Sequence, residues 1–186
     1  MNYCEKIRYN IYTTEVADFT TMADTLLAQL PKDESIFRLV FFGTPANNEE
    51  YVTRRNILWN KIQQRYEDRL PVMSYVSQPA LDGALTLEVH SYRADENDHI
   101  TYHPNKGFPY VTLENADGRF LFAGGFHSDI LDFNIQQQAV EIFRLASEVL
   151  HKENFPIENI IRQWNYIEQI TSFDGADPVS YTHLTL

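Results

Sequence analysis

The stretch that decides the fold begins Gly118-Arg119-Phe120-Leu121-Phe122-Ala123-Gly124-Gly125-Phe126-His127 and closes with Asn159-Ile160-Ile161-Arg162-Gln163-Trp164-Asn165-Tyr166-Ile167. The first run is typical of an apolar strand that ends in two glycines, where a ligand can approach the backbone closely. The amphipathic residues 134–152 between the runs predict a helix, and the last run predicts another strand. Residues 118–171 are therefore expected to form a strand, a loop, a helix and a strand.

The same order of elements occurs earlier, in residues 37–78. There an apolar strand ends at Phe41-Phe42-Gly43, a helix follows from about Asn48, and a further strand surrounds Tyr75. We interpret this as a tandem duplication of one α+β unit, each unit a mixed sheet with helices packed on one face. The alternative is a single irregular α+β domain in which the two segments are unrelated.

The rest of the first half also shows clear patterns. Alternation predicts a strand at residues 7–12, and a 3.6-residue period predicts a helix at 18–30, which Pro31 ends. Asn47 is a candidate N-cap for the helix that runs to about residue 68, with Glu50 three residues later. Further strands are expected at residues 71–78 and 84–92. Glu88 lies where the first unit would carry a terminal acid, and we interpret it as structural.

Composition excludes several classes of function. The chain has 186 residues, of which 44% are hydrophobic and 13% aromatic, as in a globular protein. A net charge of −11 argues against nucleic acid as a partner, because binding phosphates requires clustered cations. The sequence has no run of about 18 apolar residues, which a membrane span would require. Its N-terminus also lacks the apolar core of a signal peptide, so a cytoplasmic protein is expected. Cys4 is the single cysteine, and the six histidines lack the spacing of metal ligands.

Two motifs carry a resemblance to a known family. The strand, glycine turn and Gln-containing helix start resemble the RidA/YjgF superfamily. Within it, Arg162-Gln163-Trp164-Asn165-Tyr166 resembles the Arg-x-Trp-Asn-Tyr motif of the chorismatases, the FkbO-like enzymes, and Thr101-Tyr102-His103-Pro104 resembles a second motif of that family. Chorismatases contain two RidA-like units, which agrees with the duplication inferred above. The resemblance covers most of residues 37–171.

The resemblance implies a small-molecule substrate with two carboxylates, chorismate, and no metal or organic cofactor. Family members remove the enolpyruvyl group, which requires cations or backbone N–H groups for the carboxylates and an acid to protonate the enol ether. The candidate substrate-binding residues are Tyr102, Arg93, Gly124, Gly125, Phe126 and Arg162. The family takes its acid from a glutamate near the C-terminus, so the catalytic residues of this chain are unknown. The oligomeric state stays open, a homo-oligomer included.

The sequence also departs from the family pattern. The family's Ser-Gly-Thr-Ala-Ser is replaced by Ala123-Gly124-Gly125-Phe126-His127, which lacks the hydroxyls and has a bulky Phe126. Residues 95–99 are acidic where an arginine is expected, and would repel a dicarboxylate unless Arg93 takes that role. An arginine on a strand, such as Arg162, is also typical of a solvated sheet edge. Paired glycines are also typical of a β-bulge. Two alternatives therefore remain: a RidA-type imine or enamine deaminase, and a non-catalytic protein that binds a small acid.

These patterns divide the chain into three parts. With the resemblance, residues 1–108 are expected to form an N-terminal RidA-like unit, residues 109–176 to begin a second unit, and residues 177–186 to be a non-native tail. The second unit lacks a counterpart to the strand at residues 84–92. We therefore expect a truncated chain that is poorly stable and catalytically inactive, derived from a chorismate-converting hydrolase or lyase.

Overall fold

The computed structural model describes residues 2–80, 82–105, 107–128 and 134–166. Over these ranges the chain forms two β-sheets flanked by helices, so the α+β class expected from the sequence is confirmed. The helices are α1 Tyr3–Lys6, α2 Phe19–Ala28, α3 Asn48–Tyr66 and α4 Ile135–Lys152, with a 3-10 helix at Ile157–Asn159. The strands are β1 Ile7–Thr14, β2 Ser35–Gly43, β3 Val72–Ser77, β4 Leu85–Tyr92, β5 His99–His103, β6 Tyr110–Asn115 and β7 Gly118–Phe122.

The larger sheet contains four strands in the order β1-β4-β2-β3. β4 is antiparallel to both of its neighbours, whereas β2 and β3 are parallel. A parallel pair needs a long crossover connection, and α3 provides it. The sheet is therefore mixed, and its central strand β4 is the last of the four along the chain.

Alternating side chains give this sheet two different faces. Leu85, Leu87 and Val89 of β4 pack into the main core with residues of α2 and α3, including the fully buried Leu26 and Leu58. The intervening residues Thr86, Glu88 and His90 point to the opposite side, because successive side chains of a strand alternate. We call the side opposite α2 and α3 the distal face.

Helices α2, α3 and α4 begin at polar caps, of which the sequence pattern predicted the one at Asn47. The side chain of Asp18 accepts a hydrogen bond from the Thr21 amide at the start of α2, and Asn47 caps α3 in the same way. Asn134 and Gln137 form a capping box at the start of α4. A cap of this kind satisfies amides that the first helical turn leaves unpaired, which explains why these boundaries could be placed from sequence.

A bulge in β2 changes which residues face which side. Ile36 lies opposite Ser91 of β4, but Arg38 lies opposite the preceding residue, His90, so Phe37 is the additional residue. Phe37 is fully buried in a second, smaller core, and Arg38 lies on the distal face. Because of the bulge, three consecutive residues of β2 face three places: Ile36 the main core, Phe37 the second core and Arg38 the distal face.

The smaller sheet is an antiparallel meander in the order β5-β6-β7. The sequence pattern predicted β7 and missed β5 and β6. Val111 and Leu113 of β6 join Ile7, Phe37 and Tyr92 in the second core. This core connects the two sheets, because it draws residues from both.

Helix α4 is attached to the smaller sheet mainly at its C-terminal end. Glu153, which ends the helix, accepts a hydrogen bond from the Tyr110 hydroxyl at 2.6 Å and pairs with Arg119 Nη2 at 2.5 Å. Of the apolar stripe predicted for this helix, only Val149 is fully buried, and Ile135 is exposed. Most of the stripe therefore remains partly accessible to solvent.

The strand predicted for residues 159–167 is wrong for the part that the structure describes. Residues 157–159 form a 3-10 helix, and residues 160–166 run without pairing to either sheet. The side chain of Ile161 is 94% exposed, as expected for a chain that crosses a surface. The tandem duplication stays a prediction without support from this segment: residues 35–77 form strand, helix and strand, whereas the described residues after β7 and α4 form no further strand. Residues 177–186, the expected tail, lie outside the described ranges.

Candidate functional site

Three ionisable side chains meet on the distal face of the larger sheet. Arg38 of β2 lies directly opposite His90 of β4, and Glu88 is two residues from His90 on the same strand. His90 Nε2 and Glu88 Oε1 are 2.8 Å apart, and Arg38 Nη1 is 3.5 Å from the same oxygen. Tyr9 of β1 pairs with His90 across the ladder and packs edge-on against its ring at 4.7 Å. We call Arg38, Glu88 and His90 the distal cluster.

Burial controls the charges of the distal cluster. Burial lowers the pKa of His90, Glu88 opposes this, and the guanidinium groups of Arg38 and Arg162 lower the pKa further. Burial likewise lowers the pKa of Arg38, while the Glu88 carboxylate raises it. An arginine remains charged near neutral pH even when its pKa falls, whereas the shift of His90 favours the neutral imidazole. The cluster therefore combines a buried cation with a histidine held mainly uncharged.

Residues 160–166 pass over this cluster. The guanidinium carbon of Arg38 lies 4.6 Å from the centre of the Trp164 ring, and that of Arg162 lies 4.4 Å from it. Tyr166 packs edge-on against Phe42 of β2, at 6.2 Å between ring centres. The motif that carries the family resemblance thus lies on the distal face, with two arginines sharing one indole ring.

The glycine turn lies beside β3, the strand next to β2. A Cβ on Gly124 would approach Val72 Cγ1 at 3.2 Å, and one on Gly125 would meet the carbonyl oxygen of Met73 at 2.1 Å. Gly125 also has a φ of 68°, which strongly favours glycine. The close approach that requires glycine here is to the β3 backbone. Phe126 packs against Phe108, at 5.7 Å between ring centres.

The remaining two predicted site residues, Arg93 after β4 and Tyr102 in β5, contact residues at the start of β2. Arg93 Nε donates to Glu34 Oε1 at 2.7 Å, and the arginine side chain is 59% exposed. The Tyr102 hydroxyl donates to the carbonyl of Ile36 at 3.1 Å, and Arg69 lies over its ring. The structure therefore brings Gly124 and Gly125 to residues 72–74 of β3 and Arg162 near Arg38 of β2. Arg93 and Tyr102 instead contact residues at the beginning of β2.

The acidic stretch at residues 95–99 has ionic contacts within the fold. Asp95 and Asp98 both pair with Lys6 Nζ, at 2.6 and 2.7 Å. Asp98 also accepts hydrogen bonds from the Tyr92 hydroxyl and from Asn115 Nδ2. Lys6, from the N-terminal end of the chain, thus compensates one of these two charges, and the repulsion of an anionic substrate by this stretch stays a prediction.

Sequence reasoning missed Arg38 and His90 as site residues. The available signal was the alternation in β4, where Glu88 and His90 occupy the positions between Leu85, Leu87 and Val89. Ionisable residues on the second face of a strand with one apolar face indicate either solvent or a site. The low exposure of His90, 6%, excludes solvent and makes this face a site candidate.

The fold and the distal cluster define the class of this protein: an α+β protein with ionisable side chains gathered on one face of a mixed sheet. A scan of family models and searches of curated proteins and of solved structures found no match to this chain. In the described ranges, no three His, Cys, Asp or Glu side chains are grouped as metal ligands. None of the helices seen there has an apolar stretch long enough to cross a bilayer.

Proposed function

We propose that this chain forms the substrate-binding part of a chorismatase-like enzyme, which removes the enolpyruvyl group of chorismate with release of pyruvate. The observation that carries the proposal is the position of the Arg162–Tyr166 motif, which resembles the family motif and lies on the distal face. Arg162 is a cation on an accessible surface, and arginine is well suited to binding a carboxylate through two parallel hydrogen bonds. A substrate with two carboxylates fits such a surface better than a neutral one.

The reaction itself needs little from the protein beyond binding and proton transfer. Protonation of the methylene carbon of the enol ether and addition of water give a hemiketal, which collapses to pyruvate and a ring hydroxyl. A carboxylic acid in a partly apolar place can supply the first proton. The resemblance assigns this acid to a glutamate C-terminal to the motif. We therefore assign substrate binding, and not proton transfer, to the described residues.

One observation favours a second candidate, a non-catalytic protein that binds a small acid. The turn at residues 123–127 lacks the hydroxyls of the family, and its glycines are packed against β3. Backbone groups that are held in this way position the turn, but they do not replace the missing hydroxyl groups. The same chain would then bind the acid without converting it.

The test is calorimetric titration of chorismate into the protein, with pyruvate followed by coupling to lactate dehydrogenase. Shikimate is the matched ligand control, because it has the ring carboxylate but no enolpyruvyl group. We expect Arg162→Met to weaken chorismate binding at least tenfold, and Arg144→Met, on the exposed side of α4, to leave it unchanged.

The outcomes separate the candidates. Chorismate binding with pyruvate release supports the chorismatase-like enzyme. Binding without release supports the non-catalytic protein only when it is also found in a protein that carries the family's C-terminal glutamate. Hydrolysis of an imine such as 2-iminobutanoate, without pyruvate release from chorismate, would favour the deaminase. A protein that binds shikimate as tightly as chorismate, or binds neither, would contradict the proposal.

A further inference from the structure

The distal face has more positive than negative groups, although the chain as a whole is strongly acidic. Among the residues that the structure describes there, the guanidinium groups of Arg38 and Arg162 are accompanied by one carboxylate, that of Glu88, and by a largely uncharged His90. The whole chain has a net charge of −11. A local excess of cations in an acidic protein needs a reason, because each cation could have been paired at little cost.

Glu88 does not fully satisfy the guanidinium of Arg38. Its Oε1 is already 2.8 Å from His90 Nε2, and the contact from Arg38 Nη1 to the same oxygen is long, at 3.5 Å. The Tyr166 hydroxyl is a further polar neighbour of Arg38. A guanidinium has five N–H donors, and the Arg38 side chain is only 10% exposed. One long contact to Glu88 engages few of these donors, so the Arg38 guanidinium can still donate to a further acceptor.

The second arginine adds to this imbalance. The guanidinium groups of Arg38 and Arg162 each lie within 5 Å of the Trp164 ring, and the charge of Arg162 disfavours that of Arg38. Two like charges near one ring repel each other, and an anion bound close to both would reduce this repulsion. The indole ring, 44% exposed, is the accessible border of the cluster.

We propose that Arg38 and Arg162 bind one carboxylate of a cyclic organic acid at the edge of Trp164, with Glu88 and His90 positioning Arg38 from behind. The carboxylate accepts hydrogen bonds from Arg38 and neutralises the repulsion between the two guanidinium groups. The rings of Trp164 and Tyr9 supply apolar walls, which favours a ring-bearing carboxylate over inorganic phosphate. The identity of the acid rests on the proposed function, whereas the carboxylate site itself does not. The site also includes Arg38, a residue of the larger sheet.

The experiment uses benzoate as the probe, with calorimetry and tryptophan fluorescence at fixed ionic strength on the whole chain. We expect benzoate to bind and to change the emission of Trp164, and Arg38→Met to weaken binding at least tenfold. Arg54→Met is the matched control, because Arg54 is also poorly exposed and ion-paired, but lies on α3. Its benzoate affinity should equal that of the wild type.

A second variant keeps the test decisive if Arg38→Met unfolds. Arg162 is exposed, so Arg162→Met should fold normally and weaken benzoate binding to a similar extent. Unchanged affinity in either folded variant, or phosphate binding as tight as that of benzoate, would overturn the site. Benzoate binding that depends on Arg38, without pyruvate release from chorismate even in a protein that carries the family's C-terminal glutamate, would leave the site standing and remove the reaction. Pyruvate release with an unchanged KM for chorismate in Arg38→Met would support the reaction and overturn the site.

Discussion

Lys6 shows how single residues hold charge inside this protein. Its ammonium group is almost completely buried, yet it contacts two carboxylates, of which Asp98 is fully buried. Burial alone would raise the pKa of Asp98, but hydrogen bonds from Lys6, the Asp95 amide, Asn115 and Tyr92 lower it to about 2. The pair therefore makes the fold sensitive to acid at one defined place.

We predict that Asp98→Asn reduces the dependence of stability on pH in the acid range. A folded pKa below the unfolded value, about 4, stabilises the fold above pH 4, and this contribution is lost as the pH falls towards 2. The contribution amounts to roughly 2 kcal/mol. Urea unfolding at pH 6 and pH 3 should show a smaller loss for the variant, from a lower starting stability. Asp68→Asn is the surface control, and an unchanged pH dependence in Asp98→Asn would contradict the assignment.

Sequence reasoning reached single residues only where their partners are close in the chain. Asn47 was identified as a cap, because a cap acts within three residues, and helices were expected to begin near Asp18 and Asn134. The partner of Asp98 is Lys6, and that of Arg38 is Glu88, both far away in sequence. Their pairing depends on the register of the sheet, which no local pattern specifies.

At the level of elements, the turn after β7 has almost no freedom to accept a side chain. We predict that Gly125→Ala destabilises the protein far more than Gly107→Ala. Both residues have positive φ, at 68° and 88°, so each alanine costs about 1 kcal/mol of backbone strain. Only at Gly125 does the new Cβ meet an atom, the Met73 carbonyl oxygen at 2.1 Å.

The measurement is the free energy of unfolding of both variants in urea. Gly125→Ala should lose at least twice as much as Gly107→Ala, because the turn must move away from β3. Equal losses would show that the contact with β3 contributes little.

Helix α4 offers a comparison of two valines in one element. Val149 is 1% exposed and Val140 is 70% exposed. Val149→Ala should cost about 2 kcal/mol, since it removes two buried methyl groups and leaves a cavity. Val140→Ala should change stability by less than about 0.5 kcal/mol. Thermal or urea unfolding tests both, and similar losses would mean that the two faces of α4 are equally buried.

The helices and strands differ in how much of the sequence pattern that predicts them lies within the segment itself. Amphipathic helices and the alternating or apolar strands of the larger sheet were predicted, because their periodicity is contained in the segment. β5, with the sequence His99-Ile100-Thr101-Tyr102-His103, was missed because only two of its residues, Ile100 and Tyr102, face the second core. Residues 160–166 have the composition of a strand but pair with neither sheet, and a strand exists only with a partner.

At the level of the whole molecule, the second core and the Lys6–Asp98–Asn115 contacts join the two sheets. We predict that they unfold together. Hydrogen exchange read by mass spectrometry should show that β4 and β6 lose protection at the same urea concentration. The exposed first turns of α4 are the internal reference for local opening. Earlier loss in β6 would mean that the smaller sheet is an independent unit.

The strand order also has a consequence for synthesis on the ribosome. β1 forms its ladder with β4, so Thr14 emerges long before Leu85–Tyr92 can pair with it. At about 5–20 residues per second, translation between them takes on the order of 4–16 s. During that time the first strand carries unpaired backbone groups together with Tyr9 and Ile11, two apolar side chains that stay exposed even in the finished fold. Nascent chains on one polysome can pair through such a strand, so slower initiation should favour soluble protein more than slower elongation.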